Sequence, residues 1–348
     1  MKLCCSSPAE KDICKSDKSS RVPPDSGNVP SEKVKCGQIQ VDKKRRRKRC
    51  AGCDDVPSPG AWPWMARILY EGNFDSANNE TTFCGGVLVS TRNVVTTAQC
   101  IKNRDSGKPV AVDLGEHDVS TEYDCFDTAD ECGANGAEGE SCFRAGRCAA
   151  KRKRYAVKYA LSHPDYERKK GDGRNDIPKF DVAVLVLDRA VQFTPTIQPI
   201  CLPPSPKSEN VATRKTLILK GWGNVAKGFS AASSAKVLQE LKGLQETPLD
   251  ECRRLVGRVA NLRSHNMCVW KPNSGANACQ GDSGGPVSEL IRKDVYDKGF
   301  WELAGVVSFA THSACGSNTP LVLTRMADPS ILNWVKETVG GALPVRPE

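Results

Sequence analysis

The sequence predicts an all-β protein built as a barrel or a sandwich. Short β-branched or apolar runs recur at 64–70, 86–90, 94–97, 182–187, 217–221 and 303–309, with Gly, Pro, Asn and Asp between them. The hydrophobic fraction of 39% is enough for a substantial core. No stretch approaches the roughly 20 apolar residues of a membrane span, and the strongest run, 182–187, ends in Asp188. At about 150 residues per domain the 348 residues suggest two units, although β-barrel pairs also run as one. A single helix is expected near the end, where Asp328 caps a face formed by Ile331, Leu332, Val335 and Val339.

At the start of the chain, residues 6–35 are rich in Ser, Pro, Lys and Asp and poor in aromatic side chains, the composition of an extended linker. The net charge of +9 is concentrated here. Residues 1–50 hold 14 Lys and Arg against six Asp and Glu, a surplus of eight, which leaves +1 for the rest. The run KKRRRKR at 43–49, ending at Arg49, reads as a nuclear signal, a heparin-binding patch or a site for basic-specific proteases, and spacing alone does not choose among them.

Seventeen cysteines far exceed what a reducing cytosol tolerates, so an oxidising compartment is expected. The opening MKLCCSSPAEKD nevertheless lacks the apolar stretch of a secretory signal, so the chain is read as missing its N-terminus, and the odd cysteine count agrees. In the middle, an acidic, Gly-rich segment from 118 to 148 carries Cys125, Cys132, Cys142 and Cys148 and is followed by basic residues 151–154. Four close cysteines suit zinc or a disulfide-stapled surface loop. The absence of a CxxC element favours the loop.

The most specific signal is Cys279-Gln280-Gly281-Asp282-Ser283-Gly284-Gly285-Pro286. Supporting elements precede and follow it: Trp62-Pro63-Trp64, Cys84-Gly85-Gly86, Thr97-Ala98-Gln99-Cys100, Asp181-Val182-Ala183-Val184-Leu185, Pro199-Ile200-Cys201-Leu202-Pro203, Gly221-Trp222-Gly223 and Val307-Ser308-Phe309. Together they resemble the chymotrypsin-like serine proteases over roughly residues 60–340. That resemblance implies two perpendicular six-stranded antiparallel barrels, an active site between them and a closing C-terminal helix. It further implies Ser283 as nucleophile, Asp181 as orienting carboxylate, and Gly281 and Ser283 as oxyanion donors.

The imidazole is missing. Where the family places its catalytic His, this chain has Gln99, and an amide has no usable basicity near neutral pH. The remaining histidines, His117, His163, His265 and His312, are read as solvated loop residues. Gln99 is expected to donate to Asp181 and accept from Ser283, keeping the shape of the cleft without a proton shuttle. Two further departures accompany it. Cys50-Ala51-Gly52 follows Arg49 where relatives release an Ile-Val terminus, so Asp282 is expected to lack its ammonium partner. The specificity pocket is expected at Asn277, Ala310 and Leu321, with Asn in place of the Asp that selects basic side chains and Leu filling one wall.

The resemblance also implies disulfides Cys84–Cys100, Cys252–Cys268, Cys279–Cys315 and Cys36–Cys201. The Cys4-Cys5 doublet before the linker looks like the end of an arthropod clip domain. Expected boundaries are therefore a clip remnant at 1–14, a disordered linker at 15–49 with the processing site, the protease-like domain at 50–341 with a stapled insertion at 118–150, and a tail at 342–348. Glu116, Glu122, Asp124 and Asp127 read as a calcium loop or a solvated acidic turn, and the insertion favours the turn. No cofactor is expected, and Asn79-Glu80-Thr81 is an N-glycosylation sequon. The leading expectation is a secreted, inactive clip-type homologue partnering extracellular proteases or zymogens such as prophenoloxidase, with no nucleic-acid partner and no membrane span. The alternatives are an active trypsin-like endopeptidase with another group as base, and a heparin or nucleic-acid scaffold built on the basic run.

Overall fold

The structure, a computed structural model, describes residues 34–39, 57–71, 84–102, 107–126, 135–168, 177–206, 217–223, 235–256, 262–271, 278, 281–292, 294, 297–310 and 319–347. Six strands, β1 (Met65–Tyr70), β2 (Gly85–Leu88), β3 (Asn93–Thr96), β4 (Pro109–Leu114), β5 (Lys153–Ser162) and β6 (Ala183–Leu187), close as a barrel in the order β1-β2-β3-β6-β5-β4. Six more, β7 (Leu217–Gly221), β8 (Gln239–Thr247), β9 (Asn266–Trp270), β10 (Pro286–Ile291), β11 (Phe300–Ala310) and β12 (Leu321–Arg325), close as β10-β11-β12-β9-β8-β7. Neighbours are antiparallel throughout, as β3 on β6 and β12 on β9 illustrate. Closure leaves no exposed sheet edge in either barrel.

The predicted runs became strands because both their faces are covered. All five residues of β6 are buried, and so are all five of β7. By contrast β5, KRYAVKYALS, buries only Tyr155 from its start to its end, and β8, QELKGLQET, buries only Leu244 and Thr247. Among the described residues there are four short α-helices, α1 (Ala98–Lys102), α2 (Gly136–Arg144), α3 (Leu249–Leu255) and α4 (Pro329–Val339), the last followed by a 3-10 turn at Gly340–Ala342. The expected cap of α4 is present, since Asp328 Oδ1 accepts from the Ser330 and Ile331 amides at 3.0 and 3.4 Å. Its face of Ile331, Leu332, Val335 and Val339 packs into the same core as Val182 and Leu185 of the first barrel. None of the helices is long and apolar enough to cross a membrane.

Three disulfides join Cys36 to Cys201, Cys84 to Cys100 and Cys252 to Cys268. Within the span read as a linker, residues 34–39 are seated on the body rather than loose. Cys36 N donates to Val345 O at 3.0 Å, Gly37 N donates to Pro199 O at 2.8 Å, and Lys35 bridges Val345 in parallel. The insertion is stapled by Cys125–Cys148, Cys142 is also disulfide-bonded, and α2 runs between them, a helix the sequence did not suggest. Cys132, Cys279, Cys315, Cys4, Cys5, Cys14, Cys50 and Cys53 lie outside the described residues, as do Arg49 and Asn79.

One core feature runs against ordinary packing. Lys220 on β7 is fully buried, and its Nζ has no hydrogen-bond partner among the described residues. It lies 4.0 Å from the ring centroid of Trp62 and 5.1 Å from that of Trp301. Glu240 stands opposite it in the β7–β8 register, but that carboxylate accepts from Trp62 Nε1 at 2.9 Å and pairs with Lys242. Burial holds the Lys220 ammonium well below the ordinary lysine range. The folded chain therefore binds this proton more weakly than the unfolded one, and stability climbs with pH towards the unfolded lysine value. Lys220→Met is expected to raise stability at neutral pH by about 1–3 kcal/mol and to remove that slope in thermal melts.

Candidate functional site

The nucleophile loop is fixed by contacts with both barrels. Gly85 N, at the start of β2, donates to Ser283 O at 2.8 Å, and Gly284 N donates to Val307 O at 2.8 Å. Gly284 has φ of +75°, and a Cβ there would sit 2.2 Å from Thr96 Oγ1 and 2.5 Å from Gly85 O. Only glycine satisfies both the left-handed backbone and the close approach. This is the physical reason for the glycine directly after Ser283.

Asp282 turns its carboxylate away from Ser283 into the Gly221-Trp222-Gly223 turn. Gly223 N donates to Asp282 Oδ1 at 2.9 Å, and a Cβ on Gly221 would fall 2.0 Å from that oxygen. Trp222 Nε1 in turn donates to His117 O at 3.1 Å, tying this turn to the first barrel. The residues that would supply an ammonium to Asp282 after processing lie outside those described.

Gln99 is the second residue of the short helix α1, held by the Cys84–Cys100 bridge. Its backbone N donates to Asp181 Oδ1 at 2.9 Å, whereas its side-chain Nε2 donates to the Ser308 carbonyl. The expected side-chain bonds from Gln99 to Asp181 and Ser283 are not formed. Ser308 Oγ takes the second Asp181 oxygen instead, donating to Oδ2 at 2.7 Å. Gln99, Asp181 and Ser308 thus close a ring of hydrogen bonds across the two barrels, extended by Thr324 Oγ1 donating to Asp181 O at 2.7 Å. In the sequence Ser308 stands out only as part of Val307-Ser308-Phe309. A serine between Val307 and Phe309 in a buried strand needs a partner, and that need was the available signal.

Burial raises the Asp181 carboxyl to about 6, opposed by the hydrogen bonds from Ser308 and Gln99 and by the charge of Arg168. A carboxyl whose folded value lies above its unfolded one gains protons on folding between about pH 4 and 6. Stability therefore falls as pH rises through that window. Asp181→Asn is expected to raise the melting temperature at pH 7.5, by up to about 3 kcal/mol in stability, and to flatten the slope between pH 4 and 6. An unchanged slope contradicts this reading. Nearby Tyr166, pushed up to about 12 by burial, stays protonated at neutral pH and is no replacement base.

The histidines are not solvated, contrary to expectation: His117, His163 and His265 are all buried. Their burial comes from distant elements, since His163 packs on Phe180 and Trp334 and His265 on Phe180. No hydrogen bond from any of them reaches Ser283 among the described residues. His312 lies outside those residues.

The acidic turn is buried only in part: Glu122 is exposed, whereas Glu116 and Asp124 are not. Glu116, Asp118 and Asp124 are all under 9% exposed. Arg152 Nη1 lies 3.3 Å from Glu116 Oε2, Arg154 Nε lies 2.7 Å from Asp113 Oδ1, and Lys151 Nζ lies 2.5 Å from Glu122 Oε1. Burial and the Asp124 charge raise Glu116 to about 7, with Arg152 opposing. The basic run 151–154 thus faces the carboxylates that a calcium reading requires, and no group of described His, Cys, Asp and Glu residues is arranged to hold a metal. Asp127 is outside the described residues. In the pocket region, Leu321 is buried in the second barrel's core with Ala278, Val307 and Leu323, Ala310 ends β11, and Asn277 is outside the described residues.

A sequence model of the trypsin family matches residues 53–124 and 124–335. Serine protease 7 of Drosophila melanogaster is 30% identical over 90% of this chain and 69% of its own length. CLIP domain-containing serine protease B15 of Anopheles gambiae is 31% identical over 80% of this chain and 66% of its own, and phenoloxidase-activating factor 3 of Holotrichia diomphalia is 30% identical over 80% and 70%. The chain spans about two thirds of the length of these relatives. Among solved structures, the Drosophila Grass clip serine protease of the Toll pathway superposes with a TM-score of 0.64 at 24% identity, covering 91% of this chain and 78% of that one, a likeness of fold. With matches on this scale to both the motifs and the double barrel, the chain belongs to the trypsin family of chymotrypsin-like serine proteases.

Proposed function

We propose that this chain is a secreted, non-catalytic serine protease homologue acting as a cofactor or regulator in an extracellular protease cascade of the phenoloxidase-activating kind. The observation that carries the reading is Gln99. It stands where the proton shuttle belongs, and its amide is engaged with the Ser308 carbonyl. A cleft of this form retains a shaped surface for another protease or its zymogen while lacking a group that takes the Ser283 proton. Names such as melanization protease 1 and phenoloxidase-activating factors 1 and 3 among the relatives support the cascade. Residues 1–14 would be a clip remnant, and 50–341 the cofactor domain with its insertion at 118–150. Residues 15–49 would be a linker cut after Arg49 and retained through Cys36–Cys201, with 342–348 as tail. Asn79 would carry a glycan, and Asn277, Ala310 and Leu321 would form a pocket closed to long basic side chains.

The second reading, an active endopeptidase, draws on the retention of Ser283 and Asp181. Reconstitution separates the two. The protein is added to a prophenoloxidase-activating protease with prophenoloxidase, and activation is followed with wild type and with Ser283→Ala. The cofactor reading expects both to change the rate equally. Loss of the effect in Ser283→Ala establishes catalysis instead.

A further inference from the structure

Behind Asp181 lies a stack that the site chemistry does not use. Phe180, the residue preceding Asp181, has φ of +47°, the one positive value outside glycine among the described residues. Such a backbone persists in a bulky residue only when its surroundings hold it. What holds it is a pair of imidazoles. His163 stacks on Phe180 with ring centroids 4.8 Å apart and planes 11° apart, and His265 stacks on Phe180 at 4.4 Å and 27°. Trp334 of α4 covers His163 at 5.1 Å.

The neutral form of His163 is built into this arrangement. Asp165 N donates to His163 Nδ1 at 3.2 Å, so that nitrogen is an acceptor and the ring proton sits on Nε2. A second proton would set an N–H against the Asp165 N–H. Asp165 and Asp328 favour the charged form of His163, together with a hydrogen bond to the Ser330 backbone. For His265, Asp328 favours charge while Arg263, Lys179 and His163 oppose it. In both, burial outweighs the acidic neighbours and lowers the imidazole below its ordinary value. One imidazolium on a Phe face gains some cation–π attraction, but a second on the opposite face meets the charge of the first.

We propose that the His163–Phe180–His265 stack is an acid-sensitive seat for Asp181, which fixes the cleft while both imidazoles are neutral and releases it when they are charged. The sign follows from the direction of the shifts. Bases held below their unfolded value bind fewer protons when folded, so the seat is at full strength above about pH 6.5 and weakens as pH falls below it. Asp181 shifts in the opposite sense over the neighbouring range, so global stability alone does not isolate the seat. A local measurement does.

The test uses the full chain. Imidazole carbon–proton NMR signals of the four histidines are titrated between pH 7.5 and 4.5, with His163→Asn and His265→Asn for assignment. Amide hydrogen exchange of the segment 177–187 is followed over the same range and corrected for intrinsic rates, in wild type and in Asp181→Asn. The expected result is that both imidazoles titrate below 6.5 and that protection of 177–187 falls roughly tenfold for each unit of imidazole displacement, in both backgrounds. The Asn variants, if folded, keep their protection down to pH 5. Imidazoles titrating at or above 6.5 overturn the proposal, and so does protection that is constant with pH or that changes only while Asp181 is present. The wild-type and Asp181→Asn measurements decide the matter even where the histidine variants do not fold.

Discussion

Purified protein, before or after cleavage of the 43–49 run, is expected to hydrolyse ester and amide substrates no faster than its Ser283→Ala variant. In a comparable triad, loss of the base alone lowers turnover by roughly 10⁶. Here the residue in its place not only lacks basicity but directs its amide to Ser308 rather than to Ser283. Gln99→His alone is expected to leave turnover near background, because Cys50-Ala51-Gly52 and Asn277 remain and the cross-barrel bond to Ser308 is lost. Steady-state assays on the three proteins check this. Turnover that Ser283→Ala abolishes contradicts it.

Gly284→Ala is expected to be among the most destabilising single changes in the chain. The left-handed backbone costs about 1–2 kcal/mol for any residue with a Cβ. Contacts of 2.2 and 2.5 Å with Thr96 and Gly85 then force the seam between the barrels to open. A total of at least about 3 kcal/mol, or roughly 10 °C in melting temperature, is expected. Gly146→Ala supplies the control, since Gly146 has φ of +72° and nothing within 4 Å of its notional Cβ. That variant should show only the backbone part. Equal losses at the two positions, read by thermal melts, reject the seam as the source of the difference.

How far the sequence disclosed this molecule depended on where each side chain's environment comes from. β6 was legible because a strand buried on both faces is a continuous apolar run, and β7 through Leu217-Ile218-Leu219 despite its buried Lys220. β5 and β8 were not, because most of their residues face outward and several of these are charged. The helix α4 announced itself through a local cap and a local period. The nucleophile loop did so through a glycine at a position whose backbone geometry tolerates no other residue. Burial of His163 and His265 was invisible, since His163-Pro164-Asp165 reads as a turn and the rings that cover it, Phe180 and Trp334, are brought in by tertiary packing. Burial of Glu116 was invisible for the same reason: its partner Arg152 stands just before β5, which pairs with β4. Gln99 meets Asp181 through its backbone N rather than its side chain, which follows the carbonyl of Ser308, a partner that only the fold brings within reach.

The central claim is that no group in this cleft activates Ser283. It is tested most directly by intact-mass measurement after exposure to a fluorophosphonate, on the protein before and after processing, with an active trypsin-family protease alongside. The account predicts no adduct on this chain while the active protease is fully labelled. A stoichiometric adduct that maps to Ser283 and disappears in Ser283→Ala would contradict it.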